Sequence, residues 1–124
     1  MDKQAGRRLS IRLDFGANIR VGPGKIALLE AIDAEGSISG AGRKLKMSYK
    51  RAWDLTEELN KSFGALLVAK SPGGSRGGGA HLTEDGKALV KHYRAIEQAA
   101  HDASETSLAA VGNLIRQAKA DSTT

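Results

Sequence analysis

A chain of 124 residues has the length of a single domain, and with 40% apolar residues but only two Phe, two Tyr and one Trp its core must be mainly aliphatic. The absence of cysteine excludes disulfides, thiolate catalysis and Cys-based zinc sites, and no apolar run suits a signal peptide or a membrane span, so a cytoplasmic protein is expected. The net charge is +5, and all of the excess lies in residues 43–76, which hold eight Lys/Arg against three acids, while the rest of the chain has eleven of each sign. Such a block is either a solvated face or the electrostatic footprint of a polyanion partner.

Residues 9–15, LSIRLDF, alternate apolar and polar and predict a half-buried strand, with a turn and a short partner strand around Ile19 and Val21. Pro23 then suits the first position of a helix over 23–35, whose apolar stripe is Ile26, Leu28, Leu29 and Ile32, with Gly36 as its C-cap.

Ser37 or Ser39 can cap a second helix at about 39–46, with Ala41, Leu45 and the nearby Met47 facing inward. Ser48 caps a third helix that runs to Phe63 and stops at Gly64. Ala52, Leu55, Thr56, Leu59 and Phe63 share its inner side, leaving Tyr49, Lys50, Trp53 and Asp54 nearer the other. Only Lys46 and Met47 remain between these two helices. Helices joined so tightly cross steeply, as in a helix-turn-helix. Gly40, Ala41 and Gly42 suit a close helix crossing, because Gly costs about 1 kcal/mol against Ala inside a helix and needs a compensating reason. A frayed helix start is the alternative.

ALLVAK and AHLT predict two strands around SPGGSRGGG, which together read as a hairpin with a glycine-rich, basic wing centred on Arg76. Thr83 caps a long helix with an apolar seam of Ala88, Leu89, His92, Tyr93, Ile96, Ala99, Ala100 and Ala103. Val111, Leu114 and Ile115 suggest a weaker second helix. The expected divisions are an N-terminal strand or hairpin at 1–22, a winged helix-turn-helix at 23–83 with its wing at 71–80, a C-terminal helical segment at 84–118 and a disordered tail at 119–124.

Other chemistries fail on spacing. No G-x-x-x-x-G-K-[ST] exists, and the candidates for G-x-G-x-x-G, starting at Gly40 and Gly77, meet Leu45 and Leu82 where the last glycine belongs. Glu57–Glu58 and Glu84–Asp85 are adjacent pairs that diverge on a helix rather than converge on a substrate. His81 and His92 read as structural or surface residues, and Met47 as core. No cofactor, metal or active site is expected.

The run GSISGAGRKLKMSYKRAWDLTEELNKSFG resembles the winged helix-turn-helix of LysR-type regulators. It is more similar still to the DNA-binding domain of the ModE-type, molybdate-responsive regulators of bacteria, through S-Y-K-x-A-W-D at Ser48–Asp54, G-G-x-x-G-G-G-A at Gly73–Ala80 and L-T-x-x-G at Leu82–Gly86. The resemblance covers roughly residues 20–103. It implies a mainly α fold with a small β-hairpin wing, a winged helix-turn-helix with a long C-terminal dimerisation helix, and a homodimer on double-stranded DNA with no membrane association. The chain is expected to lack the family's molybdate-binding module, which makes a separate effector-binding protein a candidate partner.

In such a fold the start of the third helix faces base edges, so Tyr49, Lys50 and Arg51 are the candidate readers. Ser48, Ser37 and Ser39 suit phosphates, as do Arg43 and Lys44, while Arg76 suits a phosphate or the minor groove. Trp53 either touches DNA or packs as structure. Asp54 orients Lys50 or Arg51, or accepts from a cytosine. The expected function is a sequence-specific transcriptional regulator at molybdenum-related promoters. The alternatives are a protein-interaction module and a non-specific architectural binder.

Overall fold

A computed structural model describes residues 9–16, 18–74 and 77–123; the expectations for residues 1–8, for Arg76 and for Thr124 lie outside the described residues. The chain divides into two compact units, Ile11–Tyr93 and one that contains the chain from Arg94 onward.

The first unit opens with a small antiparallel pair, β1 (Leu13–Asp14) and β2 (Arg20–Val21), in the register Leu13↔Val21. The alternation over 9–15 predicts a longer strand. Pairing stops at two residues because β2 runs straight into Gly22 and the Pro23 helix start, which leaves no further partner chain. Phe15, expected on the inner face, is consequently 67% exposed.

Helix α1 (Pro23–Glu35) has the predicted bounds, with Pro at its first position and Gly36 in the left-handed conformation at its end, donating to Ile32 O at 2.8 Å. Helix α2 (Ile38–Lys44) is shifted from the expected 39–46. The cap is Ser37, whose Oγ accepts from Gly40 N at 2.9 Å, and this places Ser39 inside the helix. Helix α2 ends through two crossing bonds, Met47 N to Gly42 O at 2.9 Å and Lys46 N to Arg43 O at 3.2 Å, with Lys46 at φ 59. That pattern normally takes a glycine, so a lysine there carries backbone strain. Helix α3 (Tyr49–Phe63) starts at Ser48, whose Oγ accepts from Arg51 N at 3.1 Å, and stops at left-handed Gly64.

The hairpin is longer than ALLVAK and AHLT predict. Strand β3 (Val68–Gly74) pairs with β4 (Gly77–Leu82) from Val68↔Leu82 to Gly74↔Gly77, with an irregularity between Ser71 and Gly74. Gly74, Gly77 and Gly79 of the glycine tract are thus paired strand. One reason is a second neighbour: Ala80 N donates to Gly36 O at 2.9 Å, and a side chain at Gly79 would meet that same carbonyl at 3.3 Å. Strand β4 lies against the end of α1 where only glycine fits easily.

Helix α4 (Glu84–Thr123) is one continuous helix. The helix expected near Val111 is part of it rather than separate, since no proline interrupts the chain and Ala109, Ala110, Ala118 and Ala120 favour propagation. Thr83 caps it as predicted, accepting from Gly86 N at 3.1 Å.

The core of the first unit is aliphatic, as composition requires: Val21, Ile26, Leu28, Leu29, Ile32, Leu59, Leu67 and Val68 are almost fully buried around α1, α3 and the hairpin. Tyr93 closes it with 1% exposure, its hydroxyl donating to Ile11 O at 2.6 Å. Thr56 is buried too, and its hydroxyl is satisfied by Ala52 O at 2.8 Å. Among the described residues no helix is long and apolar enough to cross a membrane.

Candidate nucleic-acid interface

Helix α3 positions its side chains by periodicity. Ala52, Thr56 and Leu59 are buried and Leu55 and Phe63 half-buried, so its inner face is the predicted one. At 100° per residue, Lys50 and Asp54 then point directly away from the core, with Tyr49 and Arg51 on either flank. The Lys50 side chain is 85% exposed, Tyr49 is 55% exposed, and Ser48 and Arg51 are exposed as well.

Close contact between α2 and α3 holds this start in place. A side chain at Gly42 would meet Met47 O at 3.2 Å and the Ala52 Cβ at 3.6 Å, and one at Gly40 would meet Ser37 Oγ at 2.9 Å. Gly42 therefore serves the tight crossing of α2 and α3, whereas Gly40 lies against the Ser37 cap and the end of α1.

Helix α2, α3 and the hairpin enclose a cleft of about 610 Å³. Ser37, Ser39 and Arg43 line one wall, Tyr49 and Trp53 another, and Lys70, Ser71 and Gly79 the third. Five of the sequence-derived candidates thus meet in one place. Within the wall Arg43 donates to Ser39 Oγ at 2.9 Å, so the two present a joint polar group. Lys44, Lys50 and Arg51 do not line the cleft. Lys44 is exposed at the end of α2, 3.8 Å from Glu35.

Electrostatics inside the basic block are ordered. Asp54 takes Lys50 as its partner at 2.9 Å, and Glu58 takes Lys25 of α1 at 2.7 Å. Glu57 pairs with Lys70 of β3. The adjacent carboxylates Glu57 and Glu58 do diverge, but Glu57 is a half-covered partner of the wing rather than free surface charge. Trp53 is half-buried against the core, its ring 6.1 Å from that of Tyr49 and covered by the Lys70 ammonium at 3.9 Å. Lys70 and Glu57 are the residues that sequence reasoning missed. Lys70 belonged to the basic block, but nothing local in ALLVAK says which strand face meets α3.

No family model matches the chain. The molybdenum-pterin-binding protein MopA of Rhodobacter capsulatus is 48% identical over 80 residues, which cover 64% of this chain and 30% of that protein. The DNA-binding transcriptional dual regulator ModE of Escherichia coli K12 is 41% identical over 76 residues, covering 61% of this chain and 29% of that one. The chain therefore spans about a third of the length of these relatives. Among solved structures, the DNA complex of the CbnR DNA-binding domain superposes with a TM-score of 0.56 at 24% identity, covering 71% of this chain and 95% of that chain, a likeness of fold. Over the region they share, this chain is a homologue of the ModE and Mop proteins, and its fold is the winged helix-turn-helix of LysR-type DNA-binding domains.

Proposed function

We propose that the chain binds double-stranded DNA sequence-specifically, as a homodimeric and non-catalytic transcriptional regulator in the cytoplasm. One observation carries this reading: the first turn of α3 presents Tyr49, Lys50 and Arg51 to solvent, beside a wing and a second helix. Lysine and arginine donate to guanine O6 and N7, each good contact discriminating by about 1–3 kcal/mol. Ser37, Ser39, Arg43, Lys44 and Ser48 are read as phosphate contacts that set the register, as is Arg76. Asp54 orients Lys50. The names of the relatives support molybdenum-related promoters as targets, with any signal supplied by a separate effector-binding protein.

Selection of duplexes from a random pool, with and without molybdate, tests specificity and effector response together. On the selected duplex, Lys50→Ala or Arg51→Ala is expected to weaken binding roughly 10- to 100-fold more than on random duplex. Equal losses on both would remove base reading from α3 and leave a non-specific binder.

A further inference from the structure

One cation ties strand β3 to the outward side of helix α3. The Lys70 ammonium lies 3.9 Å from the centre of the Trp53 ring and forms an ion pair with Glu57. Tyr49, Trp53 and Glu57 recur at every fourth position, so they form one stripe along α3. The Tyr49 and Trp53 rings are tilted by 34° at 6.1 Å. Lys70 therefore holds one end of a stripe whose other end is the solvent-facing start of α3. Its side chain is 33% exposed against 85% for Lys50, so its charge is the more covered of these two.

We propose that Lys70 is a positioning residue for DNA recognition: it latches the wing to α3 through Glu57 and the Trp53 face, and so fixes Tyr49 for base contact. This rests on the DNA-binding reading above and adds to it a division of labour within the basic block. Lys50 and Arg51 meet DNA, whereas Lys70 spends its charge inside the protein. A cation over an indole face with a carboxylate behind it is a directional contact, and it fixes the ring more tightly than packing alone.

The double variant Lys70→Met/Glu57→Gln removes the latch and leaves the net charge at +5. Binding to the selected duplex is expected to fall about ten-fold, a loss matching a broken cation–π and ion-pair contact. Random-duplex binding and the salt slope stay unchanged. Quenching of Trp53, the only tryptophan, by acrylamide rises as its ring is uncovered, and the single variant Lys70→Arg, whose guanidinium also stacks on an indole face and pairs with a carboxylate, binds the selected duplex as the native chain does.

A drop of about 0.9 in the log–log salt slope on both duplexes would instead make Lys70 a phosphate contact and overturn the latch. Glu57→Gln alone gives an independent check that leaves the fold least disturbed. Removing an acid from a DNA-facing surface should raise affinity by charge alone, whereas a latch predicts a loss on the selected duplex; a rise overturns the proposal. If the native chain selects no duplex from the pool, the DNA-binding reading fails and takes this role of Lys70 with it. Native binding with an unaffected double variant sinks the latch alone.

Discussion

A methyl group at Gly86 would fall on the carbonyl oxygen of Leu67 and within 3.3 Å of the Leu82 Cβ. Gly86 lies in the first turn of α4, and Leu67 immediately precedes β3, so backbone meets backbone with nothing flexible between. The resemblance marked Gly86 only as the end of L-T-x-x-G; the structure supplies its reason, which is space and not a special dihedral. Overpacking a core typically costs 1–3 kcal/mol, and a site walled by backbone belongs at the upper end. Gly86→Ala should therefore lower the unfolding free energy by about 2–3 kcal/mol, read from the urea midpoint. Gly24 is the control, because nothing lies within 4 Å of a side chain there and it too sits in a first helical turn. Gly24→Ala should be neutral or stabilise by up to about 1 kcal/mol. If both substitutions behave alike, the close approach at Gly86 does not govern stability.

At the scale of elements, legibility followed locality. Helices α1 and α3 were readable to the residue because their signals are local: Pro23, Gly36, Ser48 and Gly64 mark the ends, and the inner face repeats every turn. The outward direction of Lys50 came with it. Strands were read less well, since a strand ends where its partner does, and partners are set by tertiary structure. That is why β1 shrank to two residues and why the glycine tract, which has no strand signal of its own, is paired at Gly77 and Gly79. The wing latch was invisible for the same reason. Asn60 is a further case, unmarked in sequence. Its side-chain oxygen accepts from Leu67 N at 2.8 Å and Val68 N at 3.1 Å, and its nitrogen donates to Val68 O at 3.2 Å. The amide thus does for the open edge of β3 what a neighbouring strand would do. Asn60→Ala leaves three part-buried backbone groups unmatched and should cost about 2–3 kcal/mol. Asn60→Asp keeps both acceptor contacts and should cost less. Equal losses would show that the side chain fills space rather than bonding the edge.

For the whole molecule, the question is what covers the second unit. Ile96, Val111, Leu114 and Ile115 are 43%, 52%, 63% and 59% exposed. Counted at 100° per residue along one continuous helix, all four fall within about 100° of arc, so the apolar surface forms one face. Isolated helices are marginal in water unless such a face is buried, and the proposed homodimer supplies the matching surface from a second copy. Glutamates at Leu114 and Ile115 would desolvate charge at that contact, so Leu114→Glu/Ile115→Glu should shift the protein from dimer to monomer in sedimentation equilibrium. The consequence reaches DNA binding. A dimer spans two half-sites about 34–36 Å apart, and linking two binding events multiplies affinity without any new contact. The double variant should therefore lose affinity for a two-half-site duplex by about 100-fold or more while binding a single half-site as the native chain does. Its thermal midpoint should also stop rising with protein concentration, as expected once association no longer contributes to stability. A variant that stays dimeric would move the subunit contact off this face, and one that loses half-site binding as well would show that the C-terminal helix supports the DNA-reading unit directly.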